Sequence, residues 1–132
     1  MSTIPLSSIV LASGSVLAFL AVLAGAFGAH GLKNTLSEYE MEIFRTAVQY
    51  HMMHALGILL IGVLMRQSPA LASAGIAWLM LAGIVLFSGS LYALAISGHK
   101  WLGMVTPIGG LCFLLAWLWL CISIVRATSA SY

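Results

Sequence analysis

Glu42, Thr46, Tyr50 and His54 follow one another at intervals of four residues. On a helix that spacing stacks them into one slanted ridge. Arg45 and Gln49 lie beside the ridge, and His51 sits one turn before His54. Side chains of these types converge where a membrane protein binds a polar headgroup, a quinone, an ion or a proton. They serve equally as polar glue. Glu42 and Arg45 can pair with each other, and Tyr50 and His54 can hydrogen-bond to neighbouring helices for about 0.6 kcal/mol each. On either reading the ridge is expected to face protein rather than lipid.

Metal chemistry needs three or four convergent ligands. His51 and His54 provide two, but His30 and His99 fall at helix ends, whereas His54 lies about 15 Å inside its span by helical rise. Bis-histidine haem would need a second His at the depth of His54, and the sequence offers none. No metal or cofactor is expected. The chain has no Asp, no phosphate-binding loop, no nucleophile elbow and no Cys-x-x-Cys pair, so it reads as a non-enzyme. Cys112 and Cys121 lie on opposite faces of one apolar run, about 13 Å apart along the axis. They cannot bridge and read as small core residues.

The elements that carry these residues follow from composition. Of 132 residues, 62% are hydrophobic and 6% charged, against about 25% charged in a soluble domain. Five Lys and Arg with three Glu cannot coat a globule of this size, so the solvent for most of the surface is lipid. A net charge of +2 without a basic run gives no sign of nucleic acid. The expected partners are membrane lipids and a membrane protein or a second copy of the chain.

Spanning the hydrocarbon takes about 20 apolar residues. Four segments satisfy this, at about 7–27, 38–65, 69–97 and 107–125. They predict an all-α integral membrane protein, a single domain over 1–132 with four transmembrane helices in a bundle and both termini on one side. Pro5 and Ser7-Ser8 suit the first start, and Gly28 and Gly31 its end. No Lys or Arg precedes that segment, so it reads as a retained helix rather than a signal peptide. Ser37 and Glu40 form a capping box for the second. Ser68-Pro69 opens the third, which Gly98 closes, and Thr106 caps the fourth at Pro107. A shift of 69 residues superposes Gly14 on Gly83, His30 on His99 and Phe44 on Phe113, a faint echo of a duplicated hairpin.

Small residues recur in the spans: Gly25 and Gly28 before His30, then Ser88, Gly89 and Ser90, then Thr106, Pro107, Gly109 and Gly110. They read as close helix packing or as the lining of a cavity.

Several phrases occur together: Gly25-Ala26-Phe27-Gly28-Ala29-His30, Thr46 with Tyr50 and His54, Leu86-Phe87-Ser88-Gly89-Ser90-Leu91-Tyr92, and Thr106-Pro107-Ile108-Gly109-Gly110. In that order the chain resembles the domain of unknown function 423 family, small bacterial inner-membrane proteins related to mitochondrial transmembrane protein 256. The resemblance implies four helices in the bacterial cytoplasmic membrane. It also implies cytoplasmic termini, because relatives carry basic residues after the second helix and at the C-terminus. His30 and His54 belong to the pattern and His51 does not. The family brings no established reaction or substrate. The leading expectation is therefore a non-enzymatic interaction or accessory protein. The alternatives are a transporter or channel component acting as an oligomer, and a lipid- or quinone-binding protein using Tyr50 and His54, with Trp78 or Phe87 as packing surface.

Overall fold

The structure is a computed structural model that describes residues 3–130. Helix α1 is Leu6–His30, α2 is Glu38–Gln67 and α3 is Ala74–Ser97. A 3₁₀ turn, Lys100–Met104, leads into α4, Thr106–Ser129. All four crossing segments are long and apolar enough to span a membrane. An even number of crossings puts both termini on one side. We call that the terminal face, and the face bearing residues 31–37 and 98–105 the loop face.

α2 is the centre of the bundle. It has the lowest mean hydropathy of the four, 1.6, yet the largest buried share of its apolar window, 39% against 17% for α1. The main core gathers Val10, Ile58, Ile61, Ile76, Met80 and Phe113. A smaller cluster, Leu32, Met41, Phe44 and Ala95, closes the loop face. α1 packs along α2 and scarcely reaches α3. Lipid tails are as apolar as Leu, so this seam depends on close van der Waals contact. Near the terminal face a Cβ at Gly14 would lie 3.0 Å from the Leu59 backbone nitrogen, and one at Gly62 would lie 3.2 Å from that of Leu11. Glycine on both helices brings the backbones together there. Toward the loop face, Gly25 and Gly28 meet the side chains of Val48 and Phe44 instead.

Several boundaries differ from the sequence expectations. α1 continues through Gly28, which is buried against Phe44, and ends at His30. Its N-cap is Pro5, with no side-chain cap from a serine. The capping box at Ser37 and Glu40 is present. α3 begins at Ala74 rather than 69: Pro69 holds Ser68 extended, and the Ser68 hydroxyl accepts the Ala70 N–H in a turn. Gly98 ends α3 at φ 71°, a left-handed conformation that suits glycine. Thr106 does not cap α4. It is the first helical residue, and its hydroxyl lies 2.7 Å from that of Ser90. Cys121 is exposed rather than in the core. The packing of the two echoed hairpins differs, because Gly14 meets Leu59 whereas its counterpart Gly83 meets Phe113.

α3 holds a π-turn, Ile84–Ser88, an inserted residue that widens the helix locally. Gly109 of α4 packs directly on it. A Cβ there would collide with the Phe87 backbone nitrogen and come within 2.8 Å of the Leu86 carbonyl carbon.

Candidate functional site

The ridge on α2 does not face protein along its whole length. Each four-residue step overshoots a full helical turn by about 40°. The ridge therefore winds from the outward face at Glu42 to the core at His54. Glu42, Arg45 and Gln49 are exposed, Tyr50 is half-buried and His54 is 2% exposed. The Thr46 hydroxyl bonds back to the Glu42 carbonyl at 3.0 Å and is satisfied within its own helix.

His54 is held on both edges. Its Nδ1 lies 2.8 Å from the Tyr50 carbonyl, so that nitrogen carries the proton and donates. Its Nε2 accepts the Trp117 indole N–H at 3.2 Å. The imidazole is thus neutral, and it stacks on Phe113 with centroids 3.4 Å apart and planes 10° from parallel. Tyr50 packs on Phe87 at 4.5 Å. Around them lies a cleft of about 360 Å³ between α2 and α4, rimmed by Met53 and Leu114. The Tyr50 hydroxyl has no hydrogen-bond partner among the described residues. Phe87 and Gly110 line this cleft, whereas Trp78 does not.

His51 is the buried histidine that the sequence reading set aside. It is 6% exposed, and its Nδ1 lies 3.1 Å from the Tyr92 hydroxyl. The Ser88 hydroxyl, in the π-turn, is fully buried with no hydrogen-bond partner among the described residues. Ser90 donates to the Phe87 carbonyl at 2.9 Å, so Thr106 must be the donor to Ser90. This relay ties the start of α4 to the π-turn. A Cβ at Gly89 would make only an ordinary contact, 3.9 Å to the Ile84 carbonyl oxygen, and Pro107 occupies the first turn of α4. His30 and His99 are exposed at the loop face, apart from His51 and His54. Among the described residues no three His, Cys, Asp or Glu side chains gather as a metal site would require.

A second concavity runs between α1 and α2 toward the loop face. Its inner chamber, about 220 Å³, is lined by Gly25, Phe44, Val48 and Gln49. Its outer chamber, about 460 Å³, is lined by Lys33, Ser37 and Glu38. Gly28, Ala29, Met41 and Arg45 border both, so the two form one groove. Depth explains its polarity. Arg45 and Arg66 are 21 residues apart on α2, about 31 Å by helical rise, which matches the thickness of a hydrocarbon core. A span bounded by these two arginines would put Arg45 at the headgroup boundary, with Val48 and Gln49 just inside it, and Lys33 lies in the loop beyond α1 on the same face.

The comparisons with known proteins agree with this architecture. The family model described as "Protein of unknown function (DUF423)" matches residues 24–110. The chain is similar to UPF0382 membrane protein YwdK of Bacillus subtilis, 44% identical over 114 residues that cover 86% of this chain and 93% of the relative. It is also similar to UPF0382 membrane protein SH2409 of Staphylococcus haemolyticus, 46% identical over 111 residues, 83% of this chain and 89% of the relative. No solved structure matches it. Matched by that family model and by membrane proteins of such identity over most of their length, the chain belongs to the DUF423 family of membrane proteins.

Proposed function

We propose that this protein is a non-enzymatic membrane accessory protein that holds an amphiphile in lipid-facing grooves built on α2. One observation carries the reading: the α1–α2 groove is polar and charged at its outer end, beside Lys33, Glu38 and Arg45, and mostly apolar at its inner end, beside Gly25, Phe44 and Val48. A molecule with a polar head and an apolar tail matches that gradient. The groove's cations bind and orient, and its one hydroxyl, Ser37, is engaged with Glu40 in the capping box of α2. The cleft at Tyr50 opens sideways at the depth of Met53 and Leu114, which suits a lipid or a quinone better than an ion path along the membrane normal. The test is to isolate the protein with its native lipids and identify by mass spectrometry what stays bound in a one-to-one ratio.

A second reading has a partner helix dock on the outward face of α2. It is favoured by Gln49, which stands exposed there just inside the boundary, since polar groups at membrane depth are costly unless covered.

We further propose the bacterial cytoplasmic membrane as its location, with both termini in the cytoplasm. The cations divide two against three between the faces, Arg66 and Arg126 against Lys33, Arg45 and Lys100. Charge count therefore does not decide, and the support is the family's pattern of basic residues after the second helix and at the C-terminus. In a variant lacking Cys112 and Cys121, a cysteine placed at Thr35 should react with an impermeant thiol reagent added to intact cells, and one at Ser129 should not. The reverse pattern would invert the assignment.

A further inference from the structure

We propose that the α1–α2 groove binds one anionic phospholipid, its phosphate between Lys33 and Arg45 and an acyl chain along Gly25, Gly28 and Val48. This rests on the reading of the protein as an amphiphile-binding module and names the class of amphiphile.

Charge complementarity at a fixed depth makes the case. Lys33 and Arg45 both border the outer chamber and have no ion-pair partner among the described residues. The one anion on that rim, Glu38, stands in the first turn of α2, where the positive end of the helix dipole offsets its charge. Two cations and one anion leave a net positive rim, which an anionic head neutralises and a zwitterionic head does not. The guanidinium is suited to a phosphate in particular, because its fork of N–H donors meets two oxygens at once. Below the rim the walls turn apolar at the depth where an acyl chain begins. Gly25 and Gly28 keep the α1 side of this channel low. A Cβ at Gly28 would come 2.6 Å from the Phe44 ring, so even one methyl would compete for the space beside Phe44.

The experiment uses the full chain in nanodiscs of equal parts phosphatidylglycerol and phosphatidylcholine, with native mass spectrometry counting the lipids that survive stripping of the annulus. One phosphatidylglycerol should be retained in preference to phosphatidylcholine. K33Q and R45Q should each lower that preference about fivefold, as expected for one cation near a membrane surface. R45K should keep most of it. K100Q removes an exposed cation from the same face but a different concavity and should leave the preference unchanged. Equal retention of the two lipids, or an equal loss in K100Q, would overturn the assignment while leaving amphiphile binding intact. A dimer with an empty groove would overturn it as well. Retention of no amphiphile at all would remove both this inference and the reading beneath it.

Discussion

In hydrocarbon a neutral imidazole needs one acceptor and one donor, and the Tyr50 carbonyl and the Trp117 indole supply them to His54. The ring is thereby fixed in one tautomer, with the proton on Nδ1. Solid-state ¹⁵N spectra of the protein in bilayers should show a protonated Nδ1 and an unprotonated Nε2. Replacing Trp117 with Phe should cost about 1 kcal/mol of stability against denaturing detergent while the tautomer persists through Tyr50. A charged imidazole, or no change of stability in W117F, would contradict this geometry. A lone histidine in an apolar span demands partners, and that much is legible in the sequence. Their identity depends on which face α4 turns toward α2, which the sequence leaves open. His51 falls seven residues after Phe44 and seven before Ile58, in register with the buried face of α2. That register, rather than membership of a recurring phrase, was the available signal for its burial.

At the scale of the element, the ridge and the π-turn teach opposite lessons. A spacing of four is a good guide to neighbours and a poor guide to facing, because the ridge rotates from the lipid side to the core over three steps. Glu42, Arg45 and Gln49 accordingly border or face the lipid side of α2, and only Tyr50 and His54 reach α4. The small residues at the start of α4 were legible as close packing, but the π-turn they pack against was not. No residue type marks the point where one helical turn takes in an extra residue. Gly109 should be the least replaceable glycine at this contact. Its Cβ would strike the backbone of Phe87 and Leu86, which cannot rotate away as a side chain could. G109A should cost about 1–3 kcal/mol, the range of overpacked sites. G89A has only the Ile84 carbonyl near its added methyl, at 3.9 Å, and should be tolerated. Unfolding of both variants in mixed micelles checks the contrast, and equal costs would mean the helices do not meet where described.

For the whole molecule, the count of crossings follows from composition alone, since few charges and long apolar runs admit no other solvent. The arrangement of the helices is a different matter. α1 is a peripheral helix with a glycine-lined seam on α2, closely joined at the terminal face and held off by Phe44 and Val48 toward the loop face. That asymmetry creates a groove where headgroups meet hydrocarbon. Lys33, in the loop after α1, joins the site only because the chain folds back there, so neither the ridge nor the recurring phrases singled it out. A molecule bound in this groove is the central claim. The most direct measurement extracts the protein from its own membrane into native nanodiscs and identifies by mass spectrometry everything retained in fixed ratio. The account predicts one amphiphile per chain, enriched well above its share of the surrounding membrane. Retained lipid in the same proportions as the bulk membrane would contradict it.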